Sequence, residues 1–126
     1  MLLAALALAA AQPVAEAPAD NEITVVANRL RNWRGTWRMN KGAATCKTKR
    51  STGDKAIDGI GCDAMIQCMV PLAPRFSTIE NAKLPKAEKE QRINALLAAE
   101  KVYDCLFAKR EAGIAALVAE RRSKRS

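Results

Sequence analysis

The pattern of apolar positions in the C-terminal third of the chain predicts a long amphipathic helix. From Lys86 to about Arg122 the chain has no proline and consists mostly of strong helix formers. Val102 and Cys105 fall outside the main apolar stripe, so the helix either buries a second face around Cys105 or breaks, with Gly113 as its weakest point. The residues of the stripe, which recur at helical spacing, are Ile93, Leu96, Leu97, Tyr103, Phe107, Ile114, Leu117 and Val118.

A shorter helix is predicted over about residues 55–69. Asp54 is a suitable N-cap because its carboxylate can accept hydrogen bonds from the first free backbone amides. The two prolines that follow are expected to end the helix, so that residues 70–84 form a connector with a short turn near 78–82. The apolar face of this helix consists of Ile57, Ile60, Ala64 and Cys68.

Alternation of apolar and polar residues between positions 35 and 50 predicts a β-hairpin that turns near Asn40-Lys41-Gly42. In its second strand, Ala44, Cys46 and Thr48 should share the inner face. The β-branched run Ile23–Val26 predicts a third short strand. The expected fold is therefore α+β: a small antiparallel hairpin of two or three strands packed on one helix, followed by the long amphipathic C-terminal helix.

The N-terminus predicts export. Residues 1–11 are uncharged and apolar, and Ala9-Ala10-Ala11 before Gln12 fits an Ala-x-Ala cleavage site. The apolar run is shorter than the roughly 20 residues of a spanning helix, and we expect no transmembrane segment elsewhere. We therefore expect a signal peptide (1–11), a disordered leader (12–22), one domain (23–122) and a frayed basic tail (123–126), in a periplasmic or secreted protein.

Export makes the four cysteines candidates for disulfides, and four cysteines allow three pairings. Cys62 and Cys68 lie six positions apart on one helix and point in different directions, which disfavours that pair. Two pairings remain: Cys46–Cys62 with Cys68–Cys105, or Cys46–Cys68 with Cys62–Cys105. We prefer the first because it ties the hairpin to the first helix and that helix to the long one.

The residue types argue against catalysis. The chain has no histidine, which excludes Ser-His-Asp and Cys-His devices. Without closely paired cysteines, neither a zinc site nor a thioredoxin-like redox pair is favoured. Asp54 and Asp58 could form a carboxylate pair, but a helix cap and a first-turn acid near the positive end of the dipole explain them better. We expect no enzyme, no cofactor and no metal.

The charge balance suggests an acidic partner. The 21 Lys and Arg residues outnumber the 13 Asp and Glu residues, which gives a net charge of +8. The leading hypothesis is a non-catalytic periplasmic interaction or structural module that binds an envelope protein by strand addition or a helix face. The alternative is binding to anionic envelope lipid or polysaccharide, since export disfavours nucleic acid. The third hypothesis is an enzyme of unknown type. The candidate anion-binding residues are Lys86, Lys89, Arg92, Lys109, Arg110, Arg121, Arg122, Lys124 and Arg125.

Two stretches carry a resemblance to a known family. The run from Cys46 to Cys62, with Ser51-Thr52-Gly53 and Ile57-Asp58 between them, resembles the middle of TonB C-terminal domains. In that family the stretch is strand, turn and helix, with the two cysteines within reach, which supports the Cys46–Cys62 pairing. Departures from the family are that a long helix replaces its last strand and that a proline-rich arm is missing.

Residues 22–29 resemble the segment of TonB-dependent receptors that binds TonB by strand addition. The whole chain resembles small exported proteins of sphingomonad-type α-proteobacteria, which implies a periplasmic location.

Overall fold

The structure, a computed structural model, describes residues 17–40 and 43–125. The elements in chain order are helix α1 (Ala17–Leu30), strands β1 (Arg34–Asn40) and β2 (Ala43–Arg50), helix α2 (Lys55–Met69), a 3₁₀ turn (Val70–Leu72), and helices α3 (Ala73–Asn81), α4 (Lys86–Ala99) and α5 (Val102–Arg125). This antiparallel hairpin with packed helices confirms the predicted α+β class.

The hairpin forms as its alternating pattern predicts. Strands β1 and β2 pair antiparallel, with Trp37 opposite Cys46 and Arg38 opposite Thr45. The inner side chains of β2 (Ala44, Cys46 and Thr48) are half-buried, whereas the alternate positions are exposed. The inward-facing side therefore packs on the helices and the other side faces solvent.

Helix α2 has the predicted bounds and cap. The Asp54 carboxylate accepts hydrogen bonds from the backbone amides of Ala56 at 3.0 Å and Ile57 at 3.4 Å. Ile57, Ala64 and Cys68 are buried on the predicted face, with Ile60 half-buried beside them. The cap and the apolar periodicity thus agree, and α2 becomes the element against which the hairpin and α5 pack.

The predicted strand at Ile23–Val26 is wrong, because these residues lie within α1. Val26 and Leu30, four positions apart on one face of that helix, are buried. Burial of this face outweighs the β propensity of the branched residues. The segment is therefore helical and is not a third strand of the hairpin.

The connector over residues 70–84 is more helical than predicted. Helix α2 is followed directly by the 3₁₀ turn and then by α3. Pro71 lies in the first turn of the 3₁₀ segment, and Pro74 lies in the first turn of α3. Proline is tolerated there because the amide it removes has no helical partner. The predicted short turn near 78–82 is thus the end of helix α3.

Within the described residues, one helical stretch (Lys55–Asn81) has the length and mean hydropathy, 1.3, of a membrane span. It comprises α2, the 3₁₀ turn and α3. Of its most apolar 18 consecutive residues, 39% is buried inside the fold. Two cysteines on it, Cys62 and Cys68, are bonded to other elements. A core helix passes the same test of length and composition. Helix α2, which makes up most of this stretch, is such a helix here, because the hairpin and α5 pack against it.

The long C-terminal helix breaks, but not at Gly113. Helix α4 ends at Ala99, and Lys101 adopts a positive φ of 52° before α5 begins. Gly113 lies inside the continuous α5, facing Ile60.

The two halves of α5 bury different faces. Val102 is buried at 2% exposure and Cys105 is half-buried in a disulfide, whereas Tyr103 and Phe107 are 67% and 68% exposed. The predicted stripe is therefore wrong at Tyr103 and Phe107, because the start of α5 packs through Val102 and Cys105 on the second core cluster, whereas Ile114 and Val118 pack on the first.

Two apolar clusters form the core. The first joins α1, α2 and α5 around Trp33, and the second joins α2, α3 and α5 around Cys68, with Trp37 and Phe76 in edge-to-face contact at 5.1 Å. The first consists of Val26, Leu30, Trp33, Ile57, Ile114 and Val118, and the second of Cys68, Met69, Leu72, Phe76 and Val102.

The disulfides follow the preferred pairing. Cys46 bonds Cys62 and Cys68 bonds Cys105, which ties β2 to α2 and α2 to α5. All four cysteines are therefore paired.

Helical structure extends beyond the predicted limits of the domain at both ends. Helix α1 begins at Ala17, within the predicted leader, and α5 continues to Arg125, within the predicted tail. Arg125 forms an ion pair with Glu22, so the two ends of the domain meet. The predicted signal peptide (1–11), the remaining leader residues and the hairpin turn at 41–42 lie outside the described residues.

Candidate functional site

The solvent side of the hairpin is the first candidate site. Its side chains surround a shallow hollow of about 210 Å³. The two-residue alternation and the antiparallel register bring together cations and hydroxyls from both strands, with Thr36 opposite Lys47 and Thr45 opposite Arg38. We call this surface the basic hairpin face; it consists of Thr36, Arg38, Thr45, Lys47 and Lys49.

The whole net charge of the protein originates in and beside this hairpin. Residues 23–53 contain eight Lys and Arg residues and no Asp or Glu, and the remaining 13 basic residues are matched by 13 acidic ones. The chain outside this segment is therefore neutral. The eight residues are Arg29, Arg31, Arg34, Arg38, Lys41, Lys47, Lys49 and Arg50.

Carboxylates in the described part of the chain form ion pairs with helical residues rather than with this face. The pairs are Arg75–Glu100 at 3.0 Å, Arg92–Glu88 at 3.5 Å, Arg121–Asp54 at 2.7 Å, Lys124–Glu120 at 2.9 Å and Arg125–Glu22. In this part of the structure the cations of the basic hairpin face thus have no carboxylate within 4.0 Å.

The nine predicted anion-binding residues on α4 and α5 do not gather into one surface. Arg92, Arg121, Lys124 and Arg125 are members of the ion pairs above, and Lys89 donates a hydrogen bond to the Glu80 carbonyl at 2.7 Å. The other four are distributed along both helices: Lys86 shares a hollow with Glu80 and Glu90, Lys109 shares one with Asp63 and Glu120, Arg110 packs on Trp33, and Arg122 is exposed near the end of α5. The sequence signal that points to the basic hairpin face instead is the segment 23–53, which contains no acidic residue.

A groove between α1 and α5 is a second candidate site. It has a volume of about 620 Å³ and a mostly apolar lining. Phe107 stands at the groove with 68% of its surface exposed, and Ile23 is 40% exposed. We call it the α1–α5 groove; it is lined by Ile23, Ala27, Leu30, Arg31, Phe107, Arg110, Glu111, Ile114 and Ala115.

Arginines lie at and beside this groove. The Arg110 guanidinium lies over the Trp33 ring, 5.6 Å from its centroid, and among the described residues its Nε has no hydrogen-bond partner although it is buried. Burial, and then the charge of nearby Arg34, lower the pKa of Arg110. Arg34 donates hydrogen bonds to the carbonyl oxygens of Arg31 at 3.0 Å and Trp33 at 2.8 Å.

The two aspartates considered as a carboxylate pair stabilise local structure. A hydrogen bond from Arg121 is the largest cause that lowers the pKa of Asp54, which also caps α2. A hydrogen bond from the Ser51 hydroxyl is the largest cause that lowers the pKa of Asp58, which also accepts from the Thr52 amide at 2.8 Å. Both carboxylates are therefore held in their charged form by the turn and the cap.

Over residues 17–40 and 43–125, no three His, Cys, Asp or Glu side chains lie close enough together to hold a metal ion. No model of a protein family, no curated protein and no solved structure matches this chain. The two surfaces described above are therefore the basis for assigning a function.

Proposed function

We propose that the protein is a non-catalytic periplasmic module that attaches to anionic lipid surfaces through the basic hairpin face. The observation that carries the proposal is the concentration of the entire net charge of +8 in residues 23–53, which contain no acidic residue. Three of these basic residues, Arg38, Lys47 and Lys49, lie exposed on the basic hairpin face, and among the described residues they have no carboxylate within 4.0 Å.

The disulfides support the proposed location. Two disulfides and no free cysteine are typical of proteins that work in an oxidising compartment. The intact mass of the protein from a periplasmic fraction tests this, with alkylation before and after reduction. We expect a chain that begins near Gln12 and has no thiol to alkylate before reduction. An uncleaved chain with reactive thiols would contradict export.

The expected mode of binding is electrostatic. Each Lys or Arg close to an anionic membrane surface contributes about 1 kcal/mol, so three such residues give roughly a hundredfold change in affinity. Arg38, Lys47 and Lys49 supply these charges, and the hydroxyls of Thr36 and Thr45 lie between them. Since this face has no exposed large apolar side chain, binding should weaken steeply with salt.

The test is retention of the full-length, oxidised protein on phosphatidylglycerol–phosphatidylcholine vesicles across a salt series. Pure phosphatidylcholine vesicles provide the uncharged comparison. The variant that combines Arg38→Gln, Lys47→Gln and Lys49→Gln should lose retention at low salt. Retention of the unmodified protein should disappear between about 0.05 and 0.5 M salt, as the screening length shortens.

Two triple variants with the same loss of charge locate the surface. The control variant changes three exposed lysines outside the hairpin and should remain bound; it combines Lys55→Gln, Lys83→Gln and Lys101→Gln. The second variant tests the helical residues predicted from sequence; it combines Lys86→Gln, Lys89→Gln and Lys109→Gln. Salt-independent retention, or an equal loss in the three triple variants, would contradict the proposal.

A further inference from the structure

The α1–α5 groove has the size and lining of a small-molecule site. Its volume of about 620 Å³ lies within the range of about 300–1,000 Å³ found for ligand pockets. Six of its nine lining residues are apolar, and the polar ones are Arg31, Arg110 and Glu111. A mostly apolar cleft with a few charged groups favours a ligand that is itself apolar with one charged end.

The shape of the groove favours a single acyl chain. Its apolar residues on α1 extend from Ile23 to Leu30, which is about 10 Å along the helix axis. Those on α5 extend from Phe107 to Ala115, about 12 Å. A groove of this length between two helices suits one medium-length hydrocarbon chain.

The charges of the groove favour a carboxylate head. Arg31 and Arg110 line it, and Arg34 lies close enough to Arg110 to lower its pKa. Within the described residues none of these arginines has a carboxylate within 4.0 Å, and the Nε of Arg110 has no hydrogen-bond partner. Glu111 is the one acidic group in the lining, so the lining retains a positive charge.

We propose that the α1–α5 groove binds one medium-chain fatty acid, with its acyl chain along the apolar lining and its carboxylate at Arg31 and Arg110. A guanidinium suits this head because its planar donors match the two oxygens of a carboxylate. The inference does not depend on membrane attachment, because the basic hairpin face and this groove share no residue.

The experiment is calorimetric titration of laurate, kept below its micelle concentration, into the full-length oxidised protein. We expect one site per chain. Affinity should rise from octanoate to laurate by up to about fourfold per added methylene. Dodecanol, which has the same chain without the charge, should bind at least about tenfold more weakly. Equal affinities for laurate and dodecanol, or no binding of laurate, would overturn the proposal.

Variants of exposed groove residues test the position of the acyl chain without disturbing the core. Phe107→Ser should weaken laurate binding, and Ala115→Trp, which fills the groove, should abolish it. Tyr103→Ser is the matched control, since Tyr103 is as exposed as Phe107 on the same helix but does not line the groove. An equal effect of Phe107→Ser and Tyr103→Ser would contradict the assigned position.

The head-group contact has its own test. Arg31→Gln, at an exposed residue, should reduce the preference for laurate over dodecanol while leaving dodecanol binding unchanged. An unchanged preference would show that the carboxylate does not lie there.

The triple variant of the basic hairpin face should bind laurate normally even if it no longer binds vesicles. Failure of one proposal is therefore distinguishable from failure of the other. A stable dimer that Phe107→Ser dissociates would show that a second copy of the chain occupies the groove.

Discussion

Trp33 illustrates how single residues depend on one another in this fold. Its side chain is 2% exposed, and its Nε1 donates a hydrogen bond to the Thr48 hydroxyl at 3.0 Å. The Arg110 guanidinium covers the ring, while the backbones of Gly35 and Gly61 approach it closely. Burying a tryptophan requires a partner for its N–H and close packing around the ring, and these residues provide both.

A substitution at Gly61 tests this packing. A Cβ added at Gly61 would lie 2.6 Å from the Trp33 ring, so the indole or helix α2 must shift. We expect Gly61→Ala to lower the free energy of unfolding by about 1–3 kcal/mol. Gly59→Ala is the control on the same helix, because nothing lies within 4 Å of its added Cβ. It should stabilise by about 0.5–1 kcal/mol through helix propensity. Urea unfolding measures the stability of both variants. A change in the same direction in both would contradict this explanation.

Asp54 connects the stability of the fold to pH. Its pKa is lowered in the folded state, chiefly by the hydrogen bond from Arg121. A lowered folded pKa means that the stabilisation is complete above the unfolded value of about 3.9 and disappears as the pH falls through the folded value. We therefore expect the melting temperature to fall more steeply below about pH 4 than it does between pH 5 and 7.

The Asp54→Asn variant separates titration from capping, because asparagine is also a good N-cap. Its melting temperature should be lower than that of the unmodified protein at pH 7, and the difference should narrow at pH 3. A difference that is constant over this pH range would show that Asp54 does not contribute to the acid dependence.

At the scale of elements, the sequence predicts a helix or strand well where independent signals agree. The bounds of α2 follow from its cap, its apolar period and the prolines after it. Helix α1 was missed because β-branched residues at 23–26 favour a strand, while the deciding factor is burial of Val26 and Leu30 against α2 and α5. That contact belongs to the tertiary structure, which overrides a weak local propensity.

The junction between α4 and α5 offers a test of backbone strain. Lys101 has a φ of 52°, in the left-handed region that costs an L-residue about 1 kcal/mol or more. Glycine adopts this conformation without the steric cost, so Lys101→Gly should stabilise the protein by up to about 1 kcal/mol.

The control is Lys109→Gly, which places the same residue in the exposed interior of α5 and should destabilise by about 1 kcal/mol. Thermal and urea unfolding measure both variants. Destabilisation by Lys101→Gly as large as that by Lys109→Gly would mean that the helix does not break at this junction.

At the scale of the molecule, the charge is divided between a cationic hairpin region and helices whose charges balance. The alternation that makes one hairpin side exposed is visible in the sequence, and so is the absence of acids from 23–53. What sequence could not give is which basic residues are paired. The dense basic end of α5 looks like the stronger anion site until the fold brings Arg121 to Asp54 and Arg125 to Glu22. The α1–α5 groove could not be predicted either, because it depends on helix α1, for which the sequence predicts a strand.

The two disulfides are expected to contribute different amounts to the free energy of unfolding. Cys68–Cys105 spans 37 residues and Cys46–Cys62 spans 16. If a disulfide acts by restricting the unfolded chain, its contribution grows with the logarithm of the closed loop. We expect the double variant Cys46→Ala and Cys62→Ala to lose about 3 kcal/mol of unfolding free energy, and Cys68→Ala with Cys105→Ala to lose about 4 kcal/mol. Burial of Cys68 adds to the second loss, since truncation leaves a small cavity in the second core cluster. Urea unfolding of the two variants under identical conditions measures the difference. A larger loss from the shorter loop would mean that attachment of the hairpin to α2, rather than entropy of the unfolded chain, sets the stability.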